Sequence, residues 1–383
     1  MVNQPFRVLF VNENIGGHAT MHHHIRLCLA DHPDVAASFY DVPAPGIGRR
    51  LVGTAVPGLS ALDADLQPLR SQLALSAMVR RELHRRRRRG SYDVVHIYTH
   101  NAGLCSVADL AATASVVGLD ATNAQSYSLL PSRHPGPFTP HAVRLAQLFE
   151  QRVYDAATLV LTKSAWAAAS LRRDYDVGDD RLRILPLGVS VPAAGRTALG
   201  PGDEKRVTFI GRSMDRKGGW RLLDLWRREL RSLCRLTLVT PERVPPQLGL
   251  EVVSDIRVGD GRLPELLRRT AVLVCPSEID TFGYAAMEAM AIGVPVVADD
   301  AGAFGEIIDD GRSGFVVPPG DDRALSDGVR RLVTDDELNR RMGRAARRRM
   351  AEHYDARVTT AALVGILHEA FERDGPRRDH HAR

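Results

Sequence analysis

Two carboxylates, Asp280 and Glu288, stand with seven residues between them where an apolar run, AVLVCPS, gives way to FGYAAMEAMAIG. The first run reads as a buried β-strand ending at Pro276 and Ser277. The second reads as a helix that begins near Gly283 and stops before Gly293. A strand feeding a helix start presents unpaired backbone N–H groups and the positive end of the helix dipole, which suits a phosphate or diphosphate. Gly283 lets a ligand approach the backbone there. Asp280 lies just before the helix and Glu288 about a turn and a half inside it. Two carboxylates so placed could hold hydroxyls at two points along one elongated ligand. One capping Asp and one surface Glu would give the same spacing, and the spacing alone does not choose.

A second group lies upstream in VTFIGRSMDRKGGW, where a strand ends at Gly211 and Arg212, Lys217, Gly218 and Gly219 follow. Two cations on a Gly-flanked loop at a strand end can neutralise a diphosphate leaving group, Arg through its planar fork and Lys as a point charge. A solvated basic loop is the plain alternative in a chain with 51 Lys and Arg residues. The position at a strand end, ahead of the carboxylates, favours the chemical role.

A third group is ENIGGHATMHHHI, directly after the first strand. Gly16 and Gly17 form a turn at which a ligand can meet the backbone, and His18 is expected to face it. His22, His23 and His24 are adjacent on a helix and point about 100° apart, so they cannot converge on one ion. The triplet Asp63-Ala64-Asp65 is Pro-flanked and leads into a helix, where capping is its expected role. No metal site and no required metal are predicted. A fourth group, SVVGLDATNAQSY, puts Asp120 at a strand end and Asn123 just beyond. Asp120 either positions a substrate or is simply bonded to the backbone.

With these residues in view, the stretch PSEIDTFGYAAMEAMAIGVPVVADDAGAFGEIIDDGRSGFVVPPGD resembles the retaining family-4 glycosyltransferases of the GT-B fold. Those carry a Pro-Ser loop, two acids enclosing Phe-Gly, Glu-Ala-Met-Ala, a Gly-x-Pro strand and a Gly-x-x-Glu turn. The resemblance implies that Glu288 holds the donor ribose and that Asp280 touches the transferred sugar. Backbone around Thr281, Phe282, Gly283 and Tyr284 would meet the sugar hydroxyls or the diphosphate. It implies that Arg212 and Lys217 stabilise the departing diphosphate, and that Gly16 and Gly17 lie beside the donor phosphate. His18, Asp120 and Asn123 would fall on the acceptor side. Asp280 is one methylene shorter than the usual Glu. The Asp120-Ala121-Thr122 stretch, with LTKSAWAAASLRRDYDVGDDRLRILPLGV, resembles a subset of the family in which Pro stands at position 123.

The expected reaction is therefore metal-independent, retaining transfer of a sugar from a nucleotide diphosphate-sugar to a small-molecule or lipid-linked acceptor hydroxyl. A nucleotide-sugar epimerase on the same architecture would need acid and base groups at the sugar, and no such pair stands out. A basic adaptor for nucleic acid or membrane would leave the second-half pattern unexplained, and no nucleic-acid partner is expected.

The elements that must position these residues follow from hydrophobic patterning. Near-continuous apolar runs at 7–11, 93–98, 115–119, 158–162, 207–211, 235–240, 271–275, 294–298 and 314–317 alternate with helical stretches. That pattern predicts α/β architecture with two doubly wound, Rossmann-like parallel sheets facing across a cleft. The Pro-, Gly- and Ala-rich stretch from Leu185 to Lys205 reads as a linker. The expected domains are 1–190 on the acceptor side, 191–354 for the nucleotide sugar, and 355–383 as a helix packing back on the first domain plus a basic tail.

Composition is that of a globular protein, 44% hydrophobic and 25% charged over 383 residues. The net charge of +5 is concentrated in RRELHRRRRR, Arg80 to Arg89, and in the last ten residues. Leu73, Leu75, Met78, Val79 and Leu83 precede the arginines. An amphipathic helix in weak contact with an anionic membrane is thus one expectation, and a solvated helix end the other. Cys28, Cys105, Cys234 and Cys275 are scattered as in a reduced, cytoplasmic protein. The N-terminus reads as a first strand with no signal peptide, and a peripheral place at the inner membrane face goes with the lipid expectation.

Overall fold

The computed structural model describes residues 6–13, 18–128, 136–196, 202–256, 261–277 and 280–381. Contacts divide the chain into two compact units, Met1–Pro186 with Thr359–Arg383, and Leu187–Val358.

Unit 1 holds six strands: β1 (Phe6–Asn12), β2 (Val35–Asp41), β3 (Val94–Ile97), β4 (Ala114–Leu119), β5 (Leu159–Thr162) and β6 (Leu182–Ile184). All pair in parallel, in the order β2-β1-β3-β4-β5-β6. Every residue of β3, β4 and β5 is buried, which is why those segments read as unbroken apolar runs. The helix Gln67–Arg88 lays Leu69, Leu75, Val79 and Leu83 into this core. Its apolar stripe is therefore covered by protein, and the amphipathic face anticipated for a membrane is taken up by the sheet. Arg87 pairs with the buried Asp109 at 3.1 Å, and Arg85 with Glu82 at 2.6 Å, while Arg80, Arg81, Arg88 and Arg89 stay exposed.

The helix Ala356–His381 closes unit 1. Its His368 ring stacks on Phe6 with centroids 4.1 Å apart, and Glu369 forms an ion pair with Arg183.

Unit 2 repeats the plan with β7 (Arg206–Ile210), β8 (Arg235–Val239), β9 (Leu250–Val253), β10 (Val272–Cys275), β11 (Val296–Asp299) and β12 (Gly314–Val317). Their parallel order is β12-β11-β10-β7-β8-β9. Phe209, Leu222, Trp226, Leu236 and Val274 pack its core. The described part of the expected linker is strapped to this unit. Val189 bridges Asp355, and Arg196 donates to the carbonyls of Gly293 at 2.8 Å and Thr270 at 2.7 Å. Thr197–Pro201 lie outside the described residues.

Each sheet has one place where the chain reverses its direction of travel, between β1 and β3 in unit 1 and between β7 and β10 in unit 2. In open α/β sheets, ligands bind at the carboxyl ends of the strands beside such a switch point. No helix among the described residues is long and apolar enough to cross a membrane.

Candidate active site

The unit 2 switch point brings the first two sequence groups together. The loop after β7 carries Arg212 and Lys217, and the loop after β10 carries Pro276, Ser277 and Asp280. Gly218 fastens one loop to the other. Its φ is +71°, and a methyl group on it would stand 1.9 Å from the Pro276 carbonyl oxygen. Ser277 Oγ donates to the Lys217 carbonyl at 3.3 Å. The Lys217 ammonium lies 2.5 Å from Asp280 Oδ2, with both side chains mostly buried. Arg212 is exposed, with no ion pair among the described residues.

Asp280 also accepts the Gly283 N–H on Oδ1 at 3.1 Å, directly before the helix Tyr284–Ile292. This one carboxylate therefore both closes the loop before the helix, which has no side-chain cap of its own, and lies against a cation. Gly283 has φ +67°, and a methyl group there would meet the Phe304 ring at 2.4 Å. Phe282 is buried, while Thr281 is half-buried at the loop tip.

Glu288 is not a surface residue. Burial pushes its carboxyl up to about 7. Among the described residues its carboxylate has no hydrogen bond or ion pair. The nearby Tyr284 hydroxyl donates instead to the Gly188 carbonyl at 3.0 Å. A half-buried carboxylate without a partner, on the helix that starts at the switch point, is a vacant acceptor for ligand hydroxyls.

At the carboxyl edge of the unit 1 sheet, His18 Nε2 lies 2.7 Å from Asp120 Oδ2 and His18 Nδ1 lies 3.2 Å from Glu13. Burial opposes a charged His18, but Asp120 and then Glu13 outweigh it and lift the imidazole to about 10. Burial likewise opposes the Asp120 charge, and His18, with Lys163 and His100, holds its pKa below the ordinary value. Glu13 opens the ENIGGHATMHHHI stretch and Lys163 lies in LTKSAWAAASLRRDYDVGDDRLRILPLGV, but no spacing within either stretch marks them as site residues. Lys163 was legible only as the residue after a predicted strand end.

Asn123 starts the helix Asn123–Ser128. Thr122 Oγ1 accepts the Gln125 N–H at 3.1 Å, and Gln125 Oε1 accepts the Thr122 N–H at 3.2 Å, a reciprocal capping box. The Asn123 N–H is taken by the fully buried Glu150 at 3.0 Å, which also lies 2.7 Å from His100. The Thr of the Asp-Ala-Thr stretch is thus structural. With its N–H taken, Asn123 has a side chain that makes no hydrogen bond among the described residues.

Gly16 and Gly17 lie outside the described residues. Of the three adjacent histidines, His22 is buried between Tyr98 Oη at 2.9 Å and Asp41 at 3.1 Å, and His23 is exposed. Asp65 accepts from Val56 N–H at 2.9 Å and Ser60 Oγ at 2.7 Å, and Asp63 accepts from Thr139.

A family model described as Glycosyltransferase Family 4 matches residues 16–191, and one described as Glycosyl transferases group 1 matches residues 252–349. The D-inositol 3-phosphate glycosyltransferase of Streptomyces avermitilis is 31% identical over 61% of this chain and 56% of its own length. The chain spans a little under three fifths of the first such relatives it matches, at 56%, 57% and 58%. Among solved structures, sucrose-phosphate synthase from Thermosynechococcus elongatus superposes with a TM-score of 0.75 at 18% identity, over 96% of this chain and 99% of that one. The Anabaena HepE structure in complex with UDP and glucose superposes with a TM-score of 0.66 at 16% identity, over 94% and 99%. The two family models fall on opposite halves of the chain. Each half is a six-stranded parallel sheet with its charged residues at the carboxyl ends, and on these grounds the chain belongs to the family-4 glycosyltransferases and has the GT-B fold.

Proposed function

We propose that the chain transfers a sugar from a nucleotide diphosphate-sugar to an acceptor hydroxyl, with retention of anomeric configuration and with no metal ion required. The observation that carries this reading is the unpartnered Glu288 on the helix that begins beside the Lys217–Asp280 pair. Glu288 would accept the ribose hydroxyls. Arg212, Lys217 and the N–H groups around Thr281, Phe282, Gly283 and Tyr284 would take the diphosphate.

Asp280 holds Lys217 in place until the donor arrives. When the diphosphate draws the ammonium, one carboxylate oxygen is released for a hydroxyl of the transferred sugar. With Oδ1 held by the Gly283 N–H and Oδ2 taken by that sugar hydroxyl, Asp280 keeps no free oxygen to act as a nucleophile. This supports same-face attack, in which the acceptor hydroxyl passes its proton to the leaving phosphate as the new glycosidic bond forms. His18, Asp120 and Asn123 belong to the acceptor side of this reading. Its setting is cytoplasmic, with the exposed arginines of Arg80–Arg89 in weak contact with anionic lipid.

The first test is thermal stabilisation by a panel of UDP-, GDP-, ADP- and dTDP-sugars, because a ligand that binds the native state raises its melting temperature. A panel that shifts nothing overturns the reading. With the donor in hand, NMR of the product reports the anomer, and an inverted product removes the same-face mechanism. Activity that disappears in EDTA and returns with a divalent cation removes the metal-independent part.

A further inference from the structure

Strands β4 and β5 run side by side in register through Leu119 and Thr162. The next residue on each is charged: Asp120 after β4 and Lys163 after β5. Lys163 is only 5% exposed. Yet among the described residues its ammonium makes no hydrogen bond, and no carboxylate stands within ion-pair distance of it. Asp120 is near enough to act on it electrostatically, and burial, which works against the charge, is the larger influence. Asp120 in turn spends Oδ2 on His18 and leaves Oδ1 buried with no hydrogen bond among the described residues.

A buried cation without an acceptor thus neighbours a buried carboxylate oxygen without a donor. A structural ion pair would have closed this gap, since a buried polar group left unmet keeps its full desolvation cost. A ligand ammonium would be repelled by Lys163, and a phosphate or carboxylate by Asp120. An apolar group would leave both unmet. A hydroxyl satisfies both, because it donates one hydrogen bond and accepts others.

We propose that Asp120 and Lys163 form a subsite for one neutral hydroxyl of a sugar substrate, which donates to Asp120 Oδ1 and accepts from Lys163 Nζ. His18 and Glu13 act as positioning residues, fixing Oδ2 so that Oδ1 stays free. The proposal rests on the donor reading above for what carries the hydroxyl, either the transferred sugar or the acceptor.

The test uses the full chain and its Lys163→Met and Asp120→Asn variants, with whichever sugar of the UDP-, GDP-, ADP- and dTDP- panel stabilises the wild type. Both variants should keep the wild-type thermal shift with the free nucleoside diphosphate. Each should raise a sugar-substrate KM about ten- to hundredfold, with a smaller change in kcat. A rise already seen in donor hydrolysis without acceptor assigns the hydroxyl to the transferred sugar. A rise seen only in transfer assigns it to the acceptor. Deoxygenating that hydroxyl should weaken the wild type by a similar factor and Lys163→Met hardly at all, a pattern that a merely structural lysine would not produce. If Lys163→Met fails to unfold cooperatively, Asp120→Asn carries the same comparison. Unchanged KM values in both reactions, with nucleotide binding intact, overturn the subsite and leave the donor reading standing. No nucleotide binding by the wild type overturns both.

Discussion

Lys217 and Asp280 meet at 2.5 Å between the loops that follow β7 and β10, and Asp280 at the same time accepts the Gly283 N–H at 3.1 Å. The cation assigned to the leaving group is therefore held by the residue assigned to the sugar. Lys217→Ala and Arg212→Ala should each lower kcat by roughly 10²–10³, the usual loss for a preorganised group facing developing charge. Asp280→Asn should lower kcat/KM, and Asp280→Ala should in addition cost about 1 kcal/mol of stability through the lost hydrogen bond to the Gly283 N–H. Steady-state kinetics and urea unfolding separate the two effects.

Glu288 makes donor binding depend on pH. Its folded pKa is raised to about 7 from the ordinary 4.5, so the folded state binds more protons than the unfolded state between those values. Stability is fully present below 4.5 and falls as pH rises through about 7. Glu288→Gln should abolish that fall and be more stable than the wild type by up to about 3 kcal/mol near pH 8 without ligand. Donor affinity should move the other way. The wild type tightens from about pH 6 to about pH 8 as the carboxylate forms, while the variant binds weakly at both. Thermal melts and titration calorimetry at the two pH values check this.

His18 has the opposite linkage to a depressed acid. Its pKa rises from 6.5 to about 10, so the stability it adds is complete below 6.5 and disappears as pH climbs through 10. His18→Gln should cost about 3 kcal/mol near neutral pH, because it leaves Glu13 and Asp120 without their shared cation. It should also flatten the alkaline loss of stability. A variant as stable as the wild type at neutral pH would remove the charged imidazole from this account.

Three glycines separate backbone demand from mere composition. Gly218→Ala and Gly283→Ala place a methyl group against the Pro276 carbonyl and the Phe304 ring at positive φ, so each should destabilise by roughly 1–3 kcal/mol and impair donor binding. Gly365→Ala, in the closing helix with nothing within 4 Å, should instead stabilise by up to about 1 kcal/mol. Differential scanning calorimetry of the three variants is sufficient.

Vesicle flotation tests the basic helix. Because Leu75, Val79 and Leu83 are in the core, any binding through Arg80–Arg89 should be electrostatic. It should require anionic lipid and vanish when the ionic strength reaches a few tenths molar.

The strands legible in the sequence were those buried on both faces, such as β4 and β5, where no polar alternation interrupts the run. The missed strands β2, β6 and β9 all lie at sheet edges and are half-exposed, so their apolar signal is diluted. The site divides in a similar way. Arg212, Lys217, Asp280 and Glu288 could be found because helix and strand ends fix their positions within short sequence distances. Glu13, Lys163 and Glu150 could not. Lys163 comes beside Asp120 only through the pairing of β4 with β5, and Glu150 meets His100 from a distant helix, while Glu13 stands close to His18 in the chain but has no spacing that marks it. The boundary between the units falls inside the Leu185–Lys205 stretch read as a linker, and Val189 and Arg196 fasten its described part to unit 2 through long-range contacts that no local periodicity signals.

The closing helix has a consequence for the order of synthesis. Phe6 and Arg183 find their partners His368 and Glu369 only after unit 2 has been made. Unit 2 is continuous from Leu187 to Val358. On the ribosome it can therefore complete its own core while the earlier-made unit still lacks a wall. Of the two sheets, the one translated earlier is sealed later, and a chain stopped at Val358 would strand that sheet, not merely lose a tail.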